Sequence, residues 1–189
     1  MALEKPNIRR PRRIVTGHDA HGLSVFLSDG PAPNLLQPDH SPNVGMCDLW
    51  ETKSTPADNS GDVDAADRPV KLAPPTGGSV FRIVEFPPDK DRNWAGKSKV
   101  FAQYGAHEAL AEQGRHPGFH RTHSVDYAIV LEGEVWALMD VGETLMKAGD
   151  VLIQRGTNHA WANRSERPCR IAFVLIDAYP VESTVPLRI

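Results

Sequence analysis

Cysteine is nearly absent from this chain: Cys47 and Cys169 are the only two in 189 residues. Two thiols cannot frame a small disulfide-stapled fold, and nothing around them has the spacing of a cysteine metal site. A surplus of charge is lacking too. The formal net charge is −3, which supplies no attraction to a phosphate backbone, so no nucleic-acid partner is expected. No apolar run approaches the ~20 residues of a membrane span, and no membrane partner is expected. The opening stretch MALEKPNIRRPRR has basic residues but no apolar segment behind them, unlike a secretory signal. These absences predict a soluble protein of a reducing compartment, the cytoplasm. The basic residues Arg9 to Arg13 read as a solvated terminal arm.

The length suits one domain with appendages and allows a sizeable core. Most of what is there reads as short strands. Arg13–Thr16 and Leu23–Ser28 flank Asp19-Ala20-His21-Gly22, a hairpin pattern, and Val44–Thr52 reads as a strand buried on both faces. Residues 53–77 are rich in Pro, Gly, Asp and Ser and read as a long loop too polar to join a core. The acids of this loop lack the alternating spacing and terminal Glu of a calcium-binding loop. Gly78–Phe86 alternates, with Val80, Arg82, Val84 and Phe86 on one side, and is a strand. The composition of Lys99–Gln113 allows a short helix, against which Gly105 argues. Further strands are expected at His120–Val130, Glu134–Asp140, Glu143–Lys147, Asp150–Gln154, Ala160–Asn163 and Cys169–Ile176, the last apolar on both parities and therefore central. Short strands at this spacing predict an all-β sandwich or barrel.

The segment from Gly114 to Asn163 organises the rest. It contains Gly114, five residues, His120, one residue, Thr122, three residues, Asp126, six residues, Gly133. Fifteen residues later come Gly149-Asp150, then Gly156, His159 and Asn163. This pair of patterns resembles the two motifs of the cupin superfamily. Thr122 stands where the family has a second His, Asp126 where it has Glu, and the second motif is one residue short and lacks its Pro. The wording HRT…DY…VLEGE…GD…QRGTNHAWAN also resembles a branch of small single-domain cupins, and the likeness extends more weakly over most of the chain.

The resemblance implies an all-β single-domain cupin, a double-stranded β-helix or jelly-roll barrel, with extra N-terminal strands. It places the motif-bearing barrel core at residues 116–178. Residues 1–115 would supply N-terminal strands, the long loop and a connector, packed on the barrel and a dimer interface, and 179–189 a C-terminal tail. A homodimer is implied, since cupins commonly cover their N-terminal strands across a two-fold axis.

On a single regular strand His120, Thr122 and Asp126 share parity and point to one side, which in a cupin is the barrel interior; His123 has the other parity and is the weaker ligand candidate. His120, Asp126 and His159 together would make a two-imidazole, one-carboxylate set able to hold one divalent ion: Fe, Mn, Ni or Zn. The same residues read without metal are hydrogen-bonding pocket groups or a general acid and base. Arg155, beside the Gly156 turn, is a candidate for a substrate carboxylate, Trp161 for the pocket mouth, and Thr122 for substrate contact. Asn163 and Asp150 read as structural, and His107 and His116 as surface residues.

The branch includes cupins of fungal polyketide pathways described as oxidoreductases. The resemblance therefore implies a small-molecule enzyme, a metal-dependent oxidoreductase or dioxygenase on an aromatic or polyketide-like substrate. Two alternatives stand beside it: a metal-free lyase, isomerase or cyclase, and a non-catalytic ligand-binding cupin. A barrel of this type hosts many chemistries, so the choice rests on the site.

Overall fold

A computed structural model of the chain describes residues 7–106, 109–110 and 114–181. Ten strands follow in order: β1 (Arg12–His18), β2 (Ser24–Pro31), β3 (Gly45–Thr52), β4 (Ser79–Phe86), β5 (Ser124–Glu132), β6 (Glu134–Met139), β7 (Glu143–Lys147), β8 (Val151–Arg155), β9 (His159–Ala162) and β10 (Cys169–Asp177). One short helix, α1 (Lys97–Gln103), precedes β5, after two 3-10 turns at Asp89–Asp91 and Trp94–Gly96. The helix expected over Lys99–Gln113 is therefore shorter and earlier. Gly105 takes φ of +64°, which ends a helix, and part of the remaining range, His107 included, lies outside the described residues.

The strands form a five-stranded antiparallel sheet, β3-β4-β10-β5-β8, a three-stranded sheet, β7-β6-β9, and the separate hairpin β1-β2. The two larger sheets close on a core drawn from both, including Val84, Ala128, Val130, Val135, Ala137, Met146, Ile171 and Phe173. The expected central strand, β10, pairs with β4 on one side and β5 on the other. Apolar residues on both parities suit that position, because both faces of a central strand pack. β3 and β4 are hydrogen-bonded members of the same sheet as the motif-bearing β5.

Gly133, in the two-strand turn between β5 and β6, has φ of +77°, and a Cβ there would lie 2.7 Å from the Pro168 carbonyl oxygen. Both the backbone conformation and the close approach require glycine.

Two expectations fail. The long loop does reach the core: Val70 and Leu72 are buried within the main cluster, and the Lys71 and Leu72 carbonyls accept hydrogen bonds from Arg82. Two aliphatic residues at the end of a polar stretch suffice to plug the barrel, which a segment average conceals. The basic run is not a free arm either. Arg9 pairs with Glu132, Arg12 with Asp29 and Arg13 with Asp64, and Arg10 donates to the Ala32 and Pro33 carbonyls. A run of like charges is dispersed once a hairpin sends alternate side chains to different partners.

Candidate functional site

β9 alternates. Ala160 and Ala162 pack against Phe119 and Leu138, while His159 and Trp161 turn into a cavity between the sheets. His120 reaches the same cavity by another route than the one its parity predicts. β5 begins only at Ser124, and His120 lies ahead of it in an isolated bridge directly opposite His159. The two residues exchange both backbone hydrogen bonds, His120 N to His159 O at 2.9 Å and His159 N to His120 O at 3.0 Å. Such a pair sets its side chains face to face across the ladder. The imidazole centroids are 4.2 Å apart, tilted by 52°.

Each ring is oriented by its own loop. The Nδ1 of His120 meets the Gly118 carbonyl at 2.8 Å, and the Nδ1 of His159 meets the Thr157 carbonyl at 2.9 Å. A carbonyl only accepts, so each Nδ1 carries the hydrogen and each Nε2 presents a lone pair. Burial pushes His120 down to about 4, and pushes His159 well below the usual imidazole range, with the neighbouring His120 adding to the effect. Both rings are neutral at physiological pH: two bases, or two ligands, with fixed tautomers.

Asp126 lies on β5 at the same cavity, only 5% exposed. Its partner is Gln154 on β8, directly opposite in register, whose Nε2 donates to Oδ2 at 3.0 Å. Two buried oxygens remain without a hydrogen bond, Asp126 Oδ1 and Gln154 Oε1. Both are acceptors, so neither can answer the other while the carboxyl is ionised. Burial raises this carboxyl to about 6, against the opposing pull of Ser124 and Arg82. Thr122 also lines the cavity, its hydroxyl accepting from Ser124 Oγ at 2.9 Å.

Among the described residues this geometry offers a divalent ion two ligands and no third. The His120–His159 pair fits two ligand positions, with tautomers held by backbone carbonyls as metal-binding imidazoles require. The carboxylate does not complete it: among the described residues no three His, Cys, Asp or Glu side chains gather closely enough to hold a metal. The three-residue set His120, Asp126 and His159 thus shares one cavity without forming one coordination sphere. Asp126 is turned toward Gln154, and its side chain is one methylene shorter than the family's Glu.

Other expected residues divide. Trp161 is inside the cavity rather than at its mouth, packed edge-on against Phe173 at 5.4 Å and against His159 at 5.9 Å. Arg155 is on the exposed side of β8, opposite Val125, and does not line the cavity. The parity of β8 decides this, since Gln154 takes the inward position. His123 is exposed and borders the groove outside, with Leu110, Arg121 and Asn158. His116 is not a free surface residue: its Nε2 meets Asp89 Oδ2 at 3.1 Å. Asn163 bonds the Phe86 and Arg167 carbonyls, and Asp150 caps the Lys147 amide, both structural as expected.

The cavity also holds residues outside both motifs: Arg82, Arg92, Phe101 and Tyr104. Arg82 is 2% exposed, paired at 3.1 Å with a fully buried Asp48. A signal for it existed, a single charge within the apolar parity row of β4. Arg92 and Tyr104, in a polar loop and just after α1, carry no such signal. Burial pushes the Tyr104 phenol up to about 12, so it stays protonated.

The signature of the cupin domain matches residues 106–176. Phomopsin biosynthesis cluster protein D of Diaporthe leptostromiformis is 36% identical over 192 residues, spanning 95% of this chain and 85% of that one. The cupin-domain-containing oxidoreductase virC of Hypocrea virens is 32% identical, spanning 93% and 80%. Among solved structures, the cupin domain of Schizosaccharomyces pombe Cnp3 covers 89% of each chain at 13% identity, with a TM-score of 0.45. With about a third of the aligned positions identical over almost the full length of this chain in both relatives, and the cupin signature spanning the residues from before His120 to beyond His159, the chain belongs to the cupin superfamily.

Proposed function

We propose that this protein is a cupin-type oxidoreductase of a biosynthetic route, acting on a small molecule bound in the cavity at His120 and His159. The observation that carries this is the reciprocal backbone pairing of the two histidines, with both Nδ1 atoms on carbonyls and both Nε2 lone pairs left for the cavity. The names of the relatives, an oxidoreductase and a biosynthesis-cluster protein, support the class. The lining of Phe86, Phe101, Trp161 and Phe173 suits an aromatic or polyketide-like body.

The chain's own residues bind and orient this body, exclude water, and accept a proton at the Nε2 of His120 or His159. One divalent ion, Fe, Mn, Ni or Zn, belongs to the proposal as a guest of the two imidazoles; when bound it supplies Lewis acidity to a substrate oxygen. A second reading, metal-free acid–base chemistry of a lyase, isomerase or cyclase, is favoured by the missing third ligand and by Asp126, whose carboxyl at about 6 can give a proton near neutrality.

Metal content by plasma mass spectrometry, on untagged protein beside His120→Ala and His159→Ala, separates them. About one ion per chain in the parent, lost in both variants, supports the metal-dependent reading. No ion after reconstitution with all four metals refutes it, and turnover that still needs both histidines then supports the metal-free enzyme. Ligand binding without any turnover would leave a binding cupin.

The assembly proposed is a homodimer. Across the outer face of the five-stranded sheet, Trp50, Phe81, Val174, Tyr127 and Ile153 are direct cross-strand neighbours and form one apolar row, with Phe81 and Tyr127 each 40% exposed. A contiguous row of this kind is unusual on a lone subunit. No helix among the described residues is long and apolar enough to cross a membrane. The two buried, unpaired thiols support a reducing compartment, and the cytoplasm is proposed.

A further inference from the structure

One charged residue of the cavity has idle hydrogen-bond donors. Arg92 lines the cavity, with its side chain 13% exposed, yet none of its guanidinium donors makes a hydrogen bond among the described residues. Its Nε is buried and unpartnered. The nearest carboxylate is Asp89, with Oδ1 at 3.9 Å, beyond hydrogen-bond range. Asp89 Oδ2 is taken by His116, and the buried Oδ1 answers the charge of Arg92 as an ion pair without accepting a hydrogen bond from it. What holds Arg92 in place is the Trp94 ring, 3.9 Å beneath the guanidinium carbon. That ring is anchored in turn by its Nε1 on the Asp89 carbonyl and by an edge contact with His116. A guanidinium fixed by its face keeps its edge donors free, and a buried cation with idle donors is expensive unless something completes it.

The surroundings say what completes it. Tyr104 is buried in the same cavity as Arg92 and Arg82, with no hydrogen bond to its hydroxyl among the described residues. Arg82 differs from Arg92 in being answered locally, by Asp48 and by the Lys71 and Leu72 carbonyls. Arg92 and His120 line the same cavity, so the cationic edge opens into the space that the histidine pair faces. An idle fork of N–H donors and an idle phenol O–H, in a cavity whose other polar groups are the histidine pair, Thr122, Asp126 and the already paired Arg82, form a binding pole for negatively charged oxygen.

We infer that Arg92 and Tyr104 form an anion-binding subsite beside His120, and that the ligand of this cavity is an apolar, aromatic acid: a ring body carrying a carboxylate or an ionised phenol or enol. This inference rests on the cavity being the ligand site. It assigns to Arg92 the acid-binding role that the sequence had suggested for Arg155. Arg92 here acts by holding the ligand, with the Trp94 face as its positioning surface.

The test is direct binding to the full chain by calorimetry and thermal shift, with four probes of one ring size: benzoate, 4-nitrophenolate, benzamide and benzyl alcohol. Wild type is expected to bind benzoate or 4-nitrophenolate at least about tenfold more tightly than either neutral probe. The anion that binds better identifies the acid class. Arg92→Met is expected to remove that preference, lowering anion affinity about ten- to a hundredfold while leaving the neutral probes unchanged. Tyr104→Phe, which keeps the ring in the core, is expected to produce a smaller loss of the same kind. It serves as the decisive variant if Arg92→Met does not fold by circular dichroism. Equal affinity for anionic and neutral probes in wild type, no binding of either anion up to millimolar concentration, or an anion preference that survives both substitutions would overturn the inference. His120→Ala and His159→Ala are expected to retain the anion preference. An absence of histidine-dependent chemistry alongside intact Arg92-dependent binding would therefore sink the proposed enzyme and leave the subsite standing.

Discussion

Replacing Asp126 by Asn probes the cavity's electrostatics without changing its shape. Asp126 is 5% exposed and its carboxyl is raised from the ordinary 3.8 to about 6, chiefly by burial. The sign follows from linkage. The folded state holds this proton more tightly than the unfolded state does, so the group costs stability once ionised, and the cost fades as pH falls from 6 toward 3.8. At 1.36 kcal/mol per tenfold step, the full cost at neutral pH is about 3 kcal/mol. Asn has the shape of the protonated acid: its oxygen can keep the bond from Gln154 Nε2, and its amide nitrogen is a neutral donor where the ionised carboxylate has only an acceptor. Asp126→Asn should therefore be more stable than wild type by up to about 3 kcal/mol at pH 7.5, and the gain should vanish by about pH 4. For a chain of this length that gain corresponds to roughly 6 to 12 °C in Tm. His120 acts with the opposite sign. Its value of about 4 lies below the ordinary 6.5, so the stability associated with its neutral form is present above 6.5 and is lost as pH falls through 4. In wild type the two contributions oppose each other across this window, and the variant should show the steeper acid loss. Urea denaturation from pH 4 to 8 measures the difference. A variant equal to or less stable than wild type at pH 7.5, or a difference that does not change with pH, would refute the buried-carboxyl account.

Two further outcomes are expected. Asp48→Ala strands Arg82 in the core and removes a partner of Arg68, so it should cost about 3 to 5 kcal/mol in chemical denaturation; a loss under 1 kcal/mol would mean that the carbonyls of Lys71 and Leu72 satisfy Arg82 alone. Light scattering after gel filtration should give twice the chain mass for wild type and the chain mass for the doubly substituted Tyr127→Asp/Ile153→Asp, because two carboxylates in the apolar row cannot be buried unpaired; a wild-type monomer would refute the dimer face.

What the sequence by itself determined was the set of strands and the identity of the histidine pair. Period-two alternation and glycine at the turns come from local backbone sterics, so β4, β6, β7 and the central β10 read directly from residues that are neighbours in the chain. Motif spacing likewise singled out His120 and His159, although 39 positions apart, because a family's spacing encodes contacts that one chain does not display. Tertiary structure decided the rest. His120 reaches the cavity through an isolated bridge to His159, not through the parity of β5. The register of β8 turns Gln154 inward, where it takes up Asp126, and turns Arg155 out. Two aliphatic residues of a polar loop plug the barrel, and Arg92 arrives from a loop whose composition signals only solvent. These are consequences of long-range pairing. Whether a carboxylate is a ligand, an acid or a hydrogen-bond partner depends on what the other strand places 3 Å away, and no local pattern carries that information.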